Sequence, residues 1–205
     1  MNMIKFLSRI LFCSILVAIS WSILLLKDRK TLNNELIRFH VVANSDNMED
    51  QTIKLTVRDV VLNSLKSDLN NISNVSDAKT YLQKNLPKIQ NLVDQTLNDL
   101  KFEGGSSVSL CKEIFDVRHY DTFSLPAGVY HSLRIIIGEG MGKNWWCVSF
   151  PTLCIPATTD GFVETATEAG LSEPLAQTLS GNNDYPLRFY FLNQLGKLES
   201  VFFKA

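Results

Sequence analysis

The chain has 205 residues, 45% of them hydrophobic and 20% charged, a mixture that excludes a disordered polymer and suits one ordinary domain. Twenty basic residues face twenty-one acidic ones, and a net charge of -1 supplies no general positive field for nucleic acid. Four cysteines are too few for a disulfide-dense scaffold and too scattered for a zinc ribbon.

The first element is an uncharged run from Ile10 to Leu26, preceded by Lys5 and Arg9 and followed by Lys27, Arg29 and Lys30. At about 1.5 Å per residue it just reaches the length needed to cross a bilayer core. It is apolar all round, so membrane targeting is expected and a buried core helix is not. Ala18-Ile19-Ser20 offers the small-x-small cleavage site of a signal peptide. Ile23 to Leu26 continue the apolar run past that site, as an uncleaved anchor would. Both outcomes stay open, and the nearly balanced flanking charge does not set orientation. Residues 1–30 are expected to form a signal peptide or anchor, and residues 31–205 a single domain. Losing residues 1–30 removes Lys5, Arg9, Lys27, Arg29, Lys30 and Asp28, which leaves fifteen basic against twenty acidic residues. Such a body would not cling to anionic lipid by its own charge.

Leu36 to Ala43 alternates: Ile37, Phe39 and Val41 point one way, Arg38 and His40 the other, as in a half-buried strand. Asp46 and Glu49 then stand in capping-box spacing, and a helix is expected to about Leu69 along Ile53, Val57, Val60, Val61 and Leu65. A second helix opens at Ser76-Asp77 and carries Ala78, Leu82, Leu86, Ile89, Val93, Leu97 and Leu100 at steps of three and four. Pro87 predicts a kink or a restart within it, and Gly104-Gly105 its end. Strands are expected over 108–117, 129–137 and 145–150, with turns at Pro126-Ala127-Gly128 and Gly138 to Gly142. Residues 156–184 read as a loop excursion with a short helix at Glu164 to Ala169. Leu187 to Leu192 is a last strand candidate, and Asn193 to Lys204 either its hairpin partner or a terminal helix. The pattern is α+β: a membrane-targeting helix, then a mainly antiparallel sheet with helices packed on one face.

No catalytic constellation stands out. The glycines of Gly138-Glu139-Gly140-Met141-Gly142 are followed by a strand, so they read as a hairpin turn and not as a phosphate-binding loop. His40, His119 and His131 lack a metal-ligand spacing, and no serine sits in a GxSxG elbow. Asp121 and Glu139 could pair only if the fold brought them together. No catalytic residue, metal or cofactor is assigned. Cys147 and Cys154 either staple a short hairpin as a disulfide or pack as two buried thiols. Trp145 and Trp146 must face opposite sides of their strand.

Two blocks carry a family resemblance. One runs from Ile37-Arg38-Phe39-His40-Val41-Val42-Ala43-Asn44-Ser45-Asp46 through Asp50-Gln51 and Lys54 to Val57-Arg58-Asp59. The other runs from Leu125-Pro126-Ala127-Gly128 through Leu133-Arg134-Ile135 and Gly138 to Gly142, then Asn144-Trp145-Trp146-Cys147-Val148 and Phe150-Pro151-Thr152-Leu153-Cys154. Over residues 35–155 the chain resembles the stage II sporulation protein R family of endospore-forming bacteria. The resemblance implies a signalling protein and not an enzyme. Made in the forespore and exported into the space facing the mother cell, it would trigger a membrane-embedded aspartic protease there, which cuts the precursor of sigma-E. No nucleic-acid partner is expected, and the membrane is met through the N-terminal segment only. The expected receptor contacts are Arg38 and His40 on the exposed strand face, with Lys143 and Asn144 at the glycine-rich turn. The alternative from another class is an exported cell-wall hydrolase using Asp121, Glu139 or His40.

Overall fold

The computed structural model describes residues 2–72, 74–120, 122–150, 162–168, 171–180 and 186–204. Helix α1 (Asn2–Glu35) leads into strand β1 (Ile37–Val42), then helices α2 (Met48–Asn70) and α3 (Val75–Asp99). Strand β2 (Ser106–Phe115), the short strands β3 (Arg118–His119) and β4 (Ser124–Leu125), β5 (Gly128–Ile137) and β6 (Asn144–Phe150) follow. Helices α4 (Phe162–Glu168), α5 (Glu173–Leu179) and α6 (Pro186–Lys204) close the described chain.

The main sheet has the order β2-β5-β1-β6. Its outer pairings are antiparallel, and β1 runs parallel to β5 with Ile37 opposite His131 and Val41 opposite Ile135. The parallel step requires a long crossover, which α2, α3 and β2 provide. The α+β class expected from the sequence is the class observed, with a mixed sheet.

One face of the sheet is covered by α2 and α3. Ile37, Phe39, Val41, Leu133 and Ile135 meet Val57, Val61, Leu82, Val93 and Leu97 in one apolar cluster. Helix α2 starts one residue later than the capping-box spacing suggests: Asn47 is the cap, and its Oδ1 accepts the Asp50 N–H at 2.7 Å. Helix α3 is capped by Asn74 and runs unbroken across Pro87, where the sequence predicts a kink or restart. Burial of Leu82, Ile89 and Val93 on the sheet offsets the lost hydrogen bond. The helix also ends before Gly104: Lys101 takes the left-handed conformation, φ 56°, as the chain leaves the last turn.

The opposite face is covered as well. The last turns of α1, the β3–β4 ribbon, α4, α5 and α6 bring Leu32, Leu36, Phe123, Leu125, Leu175, Leu179 and Leu192 against Phe115, Tyr130 and Val148. This corrects the reading of β1 as half-buried: all six of its residues are buried, Arg38 and His40 included. It also corrects the strand at 187–192. Pro186 opens a helix there, and Leu192 and Gly196, one helical turn apart, are buried beneath it.

Helix α1 joins this second layer at its C-terminal end. Residues before Trp21 whose side chains are described are exposed, whereas Leu25, Asp28, Arg29 and Leu32 are buried. The Arg29 guanidinium donates to Glu199 at 2.7 Å and to the Tyr130 hydroxyl at 3.0 Å, and Arg188 pairs with Asp28 at 2.7 Å. A side chain at Gly128, φ 149°, would occupy the space of the Arg29 guanidinium, with Cβ 1.2 Å from Nη2. The Leu-Pro-Ala-Gly turn is thus the seat of the end of α1, and a boundary at residue 30 falls inside that helix.

Candidate functional site

The two sequence blocks converge at one end of the sheet. Strand β1 ends in Ala43-Asn44-Ser45-Asp46, beside the turn that joins β5 to β6. Backbone bonds run from Met141 N–H to Asn44 O at 3.0 Å and from Gly142 N–H to Ala43 O at 2.9 Å. Asn44 Oδ1 accepts the Glu139 N–H at 2.9 Å, and Asp46 Oδ1 accepts the Lys143 N–H at 2.6 Å. Lys54, buried on the second turn of α2, donates to Gln51 Oε1 at 2.6 Å and to the Lys143 carbonyl at 3.1 Å. Gln51 in turn donates to Ser45 O at 2.8 Å.

Asp50 is the hub. Its Oδ2 accepts from Ser45 Oγ at 2.5 Å, Asn44 Nδ2 at 2.8 Å and Asn47 Nδ2 at 3.2 Å. These bonds, those of Ser45 and Asn44 foremost, hold its carboxyl below the usual carboxylate range. Burial pushes the Lys54 ammonium down, with the positive charge of Arg58 adding to it. Asp50, Lys54 and Gln51 are each engaged internally, so the network shapes the turn. What it offers outward is a rim: Met48, Glu139, Met141, Lys143 and Asn144 are exposed.

A second polar cluster lies behind Asn144, on the sheet face covered by α1 and α6. His40 Nε2 is 3.1 Å from Asn144 Oδ1, and Nδ1 is 3.2 Å from Glu113 Oε1. Its ring stacks on Trp146 with centroids 3.6 Å apart. Both ring nitrogens are occupied, so His40 is not poised as a base toward solvent. Burial raises the Glu113 carboxyl, but the His40 hydrogen bond and the Arg134 charge outweigh this and hold it low.

Arg38 is fully buried. Its Nε donates to Cys147 O at 3.2 Å and its Nη2 to the Tyr120 hydroxyl at 2.9 Å, and the guanidinium lies 4.2 Å from the Phe115 ring centre. Desolvation lowers its pKa, with the tyrosines opposing. The exposure expected of Arg38 and His40 is therefore overturned, because the second helical layer seals their face. Lys143 and Asn144 do sit at the exposed turn, as expected.

The two tryptophans diverge as strand geometry requires: Trp145 packs edge-on against Phe39, Trp146 on His40. Cys147 is disulfide-bonded, while Cys13 and Cys111 carry free thiols. Cys154 and Asp121 lie outside the described residues. Among the described residues no group of three or more His, Cys, Asp or Glu side chains could hold a metal. Sequence reasoning passed over Asp50, Lys54 and Glu113 as site residues. Asp50 carried a signal: it stands three residues after Asn47, a second cap spacing overlapping the first.

The family model described as Stage II sporulation protein R (spore_II_R) matches residues 33–160. The chain belongs to that family. It is 32% identical over 128 residues to Stage II sporulation protein R of Bacillus subtilis (strain 168), a match covering 62% of this chain and 57% of that relative. The chain thus matches little more than half the length of this curated relative. No solved structure matches it. Family membership gives the chain a sporulation-related function, and the matched segment holds the Asp50 hub, the glycine-rich turn and the Arg38 and His40 cluster. Helix α1 fits the signal or anchor segment expected from the sequence: its span Lys5–Glu35 is long and apolar enough to cross a membrane.

Proposed function

We propose that this chain is an exported sporulation signal, not an enzyme. It is made in the forespore, passes through that membrane by means of α1, and acts in the space facing the mother cell. There it activates a membrane-embedded aspartic protease, which cuts the precursor of sigma-E. The observation that carries this reading is the family match over residues 33–160, placed directly behind a membrane-directed helix.

The contact with the protease lies on the exposed rim, with Lys143 and Asn144 as its proposed anchors. Lys143 is the cleaner probe, because only its backbone is tied into the network. Removing a hot-spot charge costs at least about 2 kcal/mol, more than tenfold in affinity. Lys143→Ala, supplied to a sporulating strain lacking its own family member, is expected to lower precursor cleavage while the melting temperature stays at the parent value. Normal cleavage by this variant removes Lys143 from the contact. Digestion of peptidoglycan by the purified chain would favour the hydrolase instead.

A further inference from the structure

Three aromatic or aliphatic side chains at the start of α6 are exposed: Leu187 is 67% exposed, Tyr190 55% and Phe191 38%. They are not free to face any direction. Arg188 is paired with Asp28 at 2.7 Å, and the Phe191 ring meets Trp21 edge-on at 5.0 Å. Both partners are on α1, and Trp21 lies inside the uncharged run that ends at Leu26. Five residues of helix correspond to about 7.5 Å, so Phe191 is held beside a residue roughly that far below the end of the apolar run. Behind the patch, a cleft of about 920 Å³ between α1 and the start of α6 is lined by Trp21, Leu24, Leu25, Leu171 and Leu187. Lys27 and Lys30 stand exposed just beyond the apolar run.

We propose that the start of α6 docks on the membrane that α1 enters, with Leu187, Tyr190 and Phe191 seated at the boundary between lipid headgroups and acyl chains. This rests on the reading of α1 as a membrane-embedded segment. Given that reading, contact with Trp21 carries the patch to the bilayer, and lipid is the neighbour its position imposes. The chemistry matches. Tyrosine and tryptophan are favoured at this boundary, and helices that lie in it sink their apolar face about 5–10 Å. Lys27 and Lys30 are placed to meet anionic headgroups. The body would then be held at two points, α1 and the start of α6, which fixes how its far surfaces are presented.

The test uses the full chain in vesicles of mixed phosphatidylcholine and phosphatidylglycerol. Cys13→Ser and Cys111→Ser remove the free thiols, and a fluorophore is attached at Tyr190→Cys, Leu16→Cys or Gln95→Cys in turn. Quenching by nitroxide-bearing lipid is compared with quenching by aqueous iodide. The position-190 label is expected to be quenched by the lipid nitroxide as the position-16 label is, and shielded from iodide. The position-95 label, exposed on α3, should show the reverse. If position 16 responds to lipid and position 190 responds only to iodide, docking is wrong and the embedded α1 stands. If both respond only to iodide, the embedded α1 and the docking fail together. Shielding of position 190 from both quenchers would mean that protein, not lipid, covers the patch, and would also overturn the proposal.

Discussion

At Gly142 the space for a side chain is already taken: a Cβ there would lie 2.2 Å from the Ser45 carbonyl oxygen, a backbone atom that cannot swing aside. Gly142→Ala is expected to separate the turn from β1 and cost on the order of 2 kcal/mol, read from the denaturation midpoint. A variant as stable as the parent would contradict the close approach. His131 gives a pH signature. Burial, with Lys79 and Lys112 nearby, lowers its pKa from 6.5 to about 4. Between those values the unfolded chain holds a proton there that the folded chain does not, so stability falls as pH drops from 6.5 toward 4. His131→Asn should flatten that part of the stability profile, and an unchanged slope would remove the assignment. Arg38 and His40 show where residue-level reading stops. Their alternation with Ile37, Phe39 and Val41 is that of a solvent-facing row. Much of the layer that buries them comes from distant segments, the β3–β4 ribbon with Tyr120 and helices α4 to α6, which no local period reveals.

Among the elements, those with strong local signals were legible: α2, α3, β2, β5 and β6 all lie where periodicity and turn residues put them. The turn at Gly138 to Gly142 was readable as a link between strands because a strand, not a helix, follows it, but the hairpin expected there is not formed: β1 lies between β5 and β6 in the sheet. Helix α6 was legible only in part: a terminal helix was one of two alternatives for Asn193 to Lys204, but Phe189-Tyr190-Phe191 reads as a strand until α1 and β5 supply a surface for Leu192 and Gly196. The capping shift from Asp46 to Asn47 is a choice between overlapping spacings, decided by the Asp50 hydrogen bonds. Helix α1 divides into an exposed part and a part built into the body, which no change in its composition marks at residue 30. Deleting residues 2–20 is therefore expected to leave the melting temperature of the body unchanged. Deleting residues 2–30 should lower it sharply, because Leu25, Asp28 and the Arg29 contacts with Tyr130 and Glu199 go with it. Equal melting of the two truncations would contradict the packing of α1.

At the scale of the molecule, the chain joins a helix long and apolar enough to cross a membrane to a sheet covered on both faces, with an exposed rim at one end of that sheet. We expect Cys147 to pair with Cys154 after export, and loss of that bond to cost about 2–3 kcal/mol for so short a loop. Mass spectrometry after alkylation without reductant checks it, and free thiols at both positions would refute it. The central claim is that this chain is the signal that switches on a separate protease. Its most direct measurement is to co-express the chain, the membrane aspartic protease and the sigma-E precursor in a host that does not sporulate, then score cleavage. Cleavage that requires both this chain and the protease is the predicted result. Cleavage that proceeds equally without this chain, or that needs this chain but not the protease, would contradict the account.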